Sequence, residues 1–355
     1  MKKTNYLYVI LFMGIFLFLF PNKTLAEEES SLGYVVSVVP SAKQIDPEQS
    51  FFYLQTTPGE SFQITTKVKS TQKEPVTVKI YATNAVNDNG GGFEYTEDLK
   101  QLDKTLTEPI TSMLKVETPT VTVGNFEEKE IKIQVNSLEN SYQGIKMGAL
   151  VFQLDNPNEK AAVKSEFAYR IGIITSENGD DYRDSKTLNL LEAKSAIVRG
   201  RKTILGVLQN PEPKILSKLQ IKAEVKEKGS NKVIKKKEVD EYSLAPNSSS
   251  NFEIDYGTDS VKAGTYLLSI VASNEHGNWE FEKEFTISEN QAKKLNEETA
   301  FKIITPMWIK ILSILLLVTT GVLVVWLIVR RKKLEAQWKV KKRRKRKKRK
   351  KKEGK

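Results

Sequence analysis

Ile311 to Val329 is a run of about 19 residues without a single charge, dominated by Leu, Val and Ile. About 20 such residues in an α-helix cross the roughly 30 Å hydrocarbon core of a bilayer. Trp308 and Trp326 stand near its ends, where interfacial aromatic side chains are favoured, so a transmembrane helix is expected over 307–329. Immediately after it come Arg330-Arg331-Lys332-Lys333 and the basic block Lys341 to Lys352. Basic residues beside a span mark its cytoplasmic side, which assigns 330–355 as a cytoplasmic tail and everything before 307 to the outside.

This division explains the net charge of +12. Eighteen of the 56 Lys and Arg lie between Arg330 and Lys355, with only Glu335 and Glu353 against them, so the tail carries about +16 and the rest about −4. The excess is therefore no nucleic-acid footprint of a folded domain. A stop-transfer charge that also attracts anionic membrane lipids explains the tail better than RNA or ribosome binding does.

Residues 1–26 read as a cleaved secretory signal peptide: Lys2 and Lys3, an apolar run from Leu7 to Phe20, then Thr24-Leu25-Ala26. The apolar run is short for a span. Before the C-terminal helix the chain reads Phe301-Lys302-Ile303-Ile304-Thr305-Pro306-Met307, without the Leu-Pro-x-Thr-Gly type motif of a sortase substrate, so the helix is expected to stay in the membrane. The chain has no cysteine, which removes disulfides, thiolate chemistry and Cys-based metal sites, and leaves packed cores as the source of stability.

Between these segments, period-2 alternation dominates: Tyr34 to Val39, Ser61 to Lys69, Val76 to Ala82, Glu130 to Val135, Ala149 to Leu154, Phe167 to Thr175, Leu219 to Val225, Thr265 to Ala272 and Trp279 to Ile287. Turn signals separate them, among them Pro58-Gly59, Asn87 to Gly92, Asn210-Pro211-Glu212-Pro213, Asn247 to Ser250 and His276-Gly277-Asn278. Short strands at this spacing predict an all-β ectodomain of two tandem immunoglobulin-like β-sandwich domains, over 33–175 and 186–288. Ser176 to Ser185 is the expected boundary, and 289–306, mostly polar and Gly-free from Glu289 to Ala300, reads as a stalk.

No constellation for catalysis stands out, and a non-enzymatic protein is expected. His276, the lone histidine, sits in a turn signal, and a triad or zinc site would need partners the sequence does not announce. Asn87 to Gly92 lacks the acidic alternation and distal Glu of a calcium loop and reads as a hairpin connection. Carboxylates are scattered, so no acid–base pair is selected. The Lys-rich Val233 to Glu238 fits protection of a sheet edge as well as it fits a ligand patch. No catalytic, cofactor-binding or metal-binding residue is assigned, no cofactor is expected, and binding residues are left unassigned.

Three stretches carry a family resemblance. The first runs through Val38-Val39-Pro40, Gln49 to Leu54, Pro58-Gly59-Glu60, Val76-Thr77-Val78 and the turn from Ala82 to Gly90. The second is Tyr142 to Phe152, with a Gly-x-x-x-Gly-x-x-x-Phe pattern on Gly144, Gly148 and Phe152. The third is Gln209 to Pro213, followed by Gly264-Thr265-Tyr266 and Trp279-Glu280-Phe281. In this order, with the helix and basic tail behind them, they resemble the WxL-interacting proteins of Gram-positive cell surfaces. The resemblance implies a first domain of peptidoglycan-binding type, a second of host-binding type, and partnership with wall-bound WxL-domain proteins. It implies an adhesion or scaffold protein with peptidoglycan and host extracellular proteins as further partners. The alternative is an accessory subunit of a membrane or wall-assembly complex, acting through its helix and tail.

Overall fold

The structure, a computed structural model, describes residues 33–155, 167–301 and 306–350, with side chains as far as Arg344. The signal peptide expected over 1–26 lies outside the described residues.

Alternation builds the first core. In β3 (Ser61–Ser70), Ile64, Thr66, Val68 and Ser70 turn inward while the residues between them face out. Facing it, β4 (Val76–Asn87) buries Val76, Val78 and Ile80. One sheet has the order β1-β3-β8-β6, where β1 is Tyr34–Val38, β8 is Glu128–Asn136 and β6 is Leu114–Val116. The opposing sheet has the order β2-β10-β9-β4-β5, with β7 (Thr120–Val123) also on β4; β2 is Phe52–Gln55, β5 Phe93–Thr96, β9 Lys146–Leu154 and β10 Ala168–Ser176. All pairings are antiparallel except β2 with β10. Between the sheets, Phe52, Leu54, Ile133, Leu150 and Phe152 close a core around Tyr34. The Tyr34 hydroxyl donates to the Phe152 carbonyl at 2.6 Å, and burial pushes its pKa up to about 12.

The second sandwich pairs β11 (Asn189–Val198), β12 (Arg201–Asn210) and β15 (Ser248–Asp255) in one sheet. The other has the order β14-β13-β16-β17, built from Val233–Leu244, Leu216–Glu227, Gly264–Asn274 and Gly277–Ile287. Its core centres on Tyr242, Phe252, Tyr266, Leu268 and Ile270. The fold is all-β with immunoglobulin-like sandwiches and one long apolar C-terminal helix.

Two elements depart from plain strand-and-turn reading. Asn247 to Ser250 reads as a turn in sequence, yet only Asn247 takes a turn backbone (φ 46°) and Ser248 already opens β15. The segment expected as a stalk begins with a docked helix, α1 (Glu289–Glu298), started by a Ser288/Gln291 capping box. Ala292 and Leu295 are buried on the second core, and the following Ala300 N–H donates to the Gly200 carbonyl at 2.9 Å.

Helix α2 (Met307–Lys350) is one continuous element, exposed along its whole described surface, including Trp308, Leu317 and Trp326. It is long and apolar enough to cross a membrane. Its 44 residues extend about 66 Å, some twice a bilayer's hydrocarbon core.

Candidate functional site: the junction and the exposed ends

Parts of the sequence stretches singled out above meet at the junction between the sandwiches. Gly144, with φ 74°, lies against Pro213; a Cβ there would come within 2.4 Å of the Pro213 carbonyl oxygen. That same oxygen accepts from the Ile145 N–H at 2.7 Å. Ile145 joins Tyr53, Ile174 and Ile215 in a small buried cluster between the two main cores, edged by Phe51, Phe93 and Tyr182. One turn further along the pattern, Gly148 lets β9 approach β4, and Phe152 fills the first core. The glycine–phenylalanine spacing is thus a packing code.

Asn210 performs the same office from the other side. Its amide donates to the carbonyls of Lys214 at 2.6 Å and Ala245 at 2.9 Å, while its oxygen accepts from Ser185 at 2.8 Å. The Asn210-Pro211-Glu212-Pro213 turn is thereby fixed, with Pro213 presented to Gly144 and Ile145.

The hairpin connection from Asn87 to Gly92 makes the second arm of the junction. Asn87 donates to Ser248 Oγ at 2.7 Å and the Ser249 carbonyl at 3.1 Å, and accepts from the Ala245 N–H at 2.7 Å. Gly91 (φ 95°) lies flat on the buried Tyr242 ring; a Cβ would sit 2.3 Å from its Cδ2. The Gly91 carbonyl accepts from the Ser243 N–H at 2.9 Å. Asp103 receives both contacts of the Gln209 amide at 3.0 Å. Burial raises the Asp103 pKa, but hydrogen bonds from Thr105 and Gln209 outweigh it and hold the carboxyl below its ordinary value. An apolar patch and polar clasps on both sides thus join the two sandwiches.

The remaining candidate residues have ordinary surroundings. His276 lies in the β16–β17 turn with Nε2 3.5 Å from Glu275. Among the described residues, no group of three or more His, Cys, Asp or Glu is placed to hold a metal ion. Tyr53, Tyr242 and Tyr256 have pKa values pushed up to about 12 by burial, the behaviour of structural phenols. Among the described residues, two lysines are buried. Lys146 lies over the Tyr142 ring, and Lys202 reaches the Thr258 carbonyl; burial lowers the pKa of both. Val233 to Glu238 falls in β14, an edge strand of its sheet.

Tandem immunoglobulin-like sandwiches, clasped end to end and followed by a docked helix and a long apolar one, define a modular β-sandwich protein in which Gly144, Asn210 and Pro213 build the joint. The model of the WxL-interacting protein peptidoglycan-binding domain matches residues 34–154, and that of the host-binding domain of the same proteins matches 158–297. The chain belongs to the WxL-interacting protein family.

No curated protein matches the chain. Among solved structures, the YadV chaperone is similar at 12% identity and a TM-score of 0.32, over 72% of this chain and 100% of that one. The E. coli chaperone DraB is similar at 16% identity and a TM-score of 0.27, over 65% and 92%. The Pseudomonas aeruginosa CupB2 chaperone gives 13% and 0.29, over 62% and 91%. Scores at this level carry no argument about ligands or assembly.

Proposed function

We propose that this protein is a membrane-anchored, non-catalytic scaffold of the cell surface, whose first sandwich binds peptidoglycan and whose second binds host extracellular proteins, in partnership with WxL-domain proteins. The observation that carries the reading is the order of the two family matches on consecutive sandwiches ahead of the apolar helix. The clasped junction supports it, because a scaffold that holds wall and partner at a set separation gains from a stiff body. On this reading α2 spans the membrane with the basic tail in the cytoplasm, where it attracts anionic lipid headgroups. The domains then divide at Ser176–Ser185.

The test is binding of the full chain, in detergent micelles, to purified cell wall with and without a WxL-domain protein. Saturable binding supports the scaffold. Absence of binding under both conditions refutes it and shifts weight to an accessory subunit of a membrane complex, for which replacing 307–355 with an unrelated anchor would abolish assembly.

A further inference from the structure

The membrane-facing end of the second sandwich carries a groove of cationic side chains. The β11–β12 turn is Arg199-Gly200, with φ of 47° and 74°. A two-residue turn with both φ values positive favours Asn-Gly, and arginine is a poor choice at its first position. Backbone strain kept at a surface tip points to a use for the side chain. Beside it lie Arg201, Lys236 and Lys237, with Glu253 and Asp255 behind, lining a groove of about 320 Å³ with four cationic groups and two carboxylates. Arg199 pairs with Glu253, and Arg201 with Asp255 at 2.9 Å. Both arginines are more than half exposed, which leaves the guanidinium groups able to take a second anion. Lys237 donates to the Glu253 carbonyl at 2.8 Å. Lys236 is exposed and makes no ion pair among the described residues.

The position of this groove is set by the chain that leaves the sandwich. Thr299 Oγ1 and the Ala300 N–H both donate to the Gly200 carbonyl at 2.9 Å, and the Arg201 guanidinium lies 4.3 Å from the Phe301 ring centroid. Only residues 302–306 separate Phe301 from the start of α2. Fully extended, five residues reach about 18 Å. The opposite end of the sandwich, at the β16–β17 turn, is about 35 Å away along the 11 residues of β16.

We infer that Arg199, Arg201, Lys236 and Lys237 form a docking surface for the anionic phosphate headgroups of the outer leaflet, so that the second sandwich stands on the membrane by this end. This rests on the anchored topology proposed above. Phosphate suits the groove because a guanidinium can hold two of its oxygens at once and the lysines add point charges.

The absence of native cysteine makes the test direct. Full-length protein carrying a fluorophore at Asn231→Cys, in the β13–β14 turn at the groove end, or at Glu275→Cys, at the far end, is reconstituted into vesicles with headgroup quenchers. Neutral phosphatidylcholine vesicles are compared with vesicles that also contain phosphatidylglycerol. The Asn231 label is expected to be quenched, more strongly in anionic vesicles, and the Glu275 label to stay bright. Arg199→Asn with Lys236→Gln removes two charges, and asparagine is at ease at the positive φ of position 199. It should lower the ratio of docked to free sandwich in anionic vesicles by about 25-fold, since each of the two basic residues changes it by roughly fivefold near such a surface. Equal quenching in both vesicle types, or no response to the double substitution, overturns the inference. Protein that fails to float with vesicles after an alkaline wash refutes the anchored topology itself; protein that floats with a bright Asn231 label refutes only the docking.

Discussion

Replacing Asn87 with alanine should open the junction without unfolding either sandwich. The change deletes three hydrogen bonds of 2.7, 3.1 and 2.7 Å to Ser248, Ser249 and Ala245. Ser248 Oγ keeps its bond to the Ala245 carbonyl, so little is lost there. The Ala245 N–H is different: Ala245 is fully buried, and its donor would face no acceptor. An unsatisfied buried donor costs about 1–3 kcal/mol, and the lost carbonyl contact about 1 kcal/mol more, which gives about 3 kcal/mol against the closed junction. At room temperature that is a factor of roughly 150 in the open-to-closed ratio. Hydrogen exchange at the Ser243 amide reads this ratio, because that amide donates across the junction to Gly91 and is untouched by the substitution. Its exchange should accelerate by about two orders of magnitude. The Ile133 amide, deep in the first sandwich, should keep its rate. A change at Ser243 of less than about threefold, with the fold intact, would refute the idea that the Asn87 clasp holds the sandwiches together.

Gly148→Ala would place a Cβ 2.1 Å from the Thr83 carbonyl oxygen and 2.5 Å from Ile110 Cγ2. With backbone unable to yield, the first sandwich should lose about 3 kcal/mol, read from its denaturant midpoint while the second is unchanged. Leu295→Ala should cost the second sandwich about 2–3 kcal/mol and make the chain after Thr299 sensitive to protease, a result that a free stalk would not give. Alkaline pH should destabilise the ectodomain with a defined window. Tyr34, Tyr53, Tyr242 and Tyr256 are raised to about 12 from 10.0, so the unfolded chain loses these protons first. Their stabilisation is complete below about pH 10 and disappears as pH climbs toward 12, which thermal melts followed alongside tyrosinate absorbance would detect.

The strands most legible in the sequence are those with one wet face. β3, β8 and β16 alternate cleanly because one side meets water. β12 hides from the same test: Lys202 to Gly206 is buried without a break, since it is the middle strand of its sheet, and periodicity vanishes when both faces are covered. β15 is obscured for another reason. Its serines are strand residues at the junction, where Asn87 and Asp88 supply partners that a sequence window cannot contain. α1 looks solvated because eight of its ten residues are polar or charged, and two apolar contacts, Ala292 and Leu295, suffice to dock it. The junction itself was readable only as motifs. Gly144 and Pro213, or Asn87 and Ser248, lie too far apart in the chain for any local signal to pair them. The family resemblance marked the right residues while their physical role waited for the fold.

The strand that leaves the first sandwich sits between neighbours. β10 is flanked by β2 through four register pairs and by β9 through eight, and its last residue, Ser176, leads to the second sandwich and on toward α2. Ladder hydrogen bonds run across the strands. On the proposed function, a tug between wall and membrane would pull β10 along its own axis and load both ladders together in shear, whereas an edge strand would peel away bond by bond. An exit strand held in this way would act as a mechanical clamp in a chain that has no cysteine to form a disulfide.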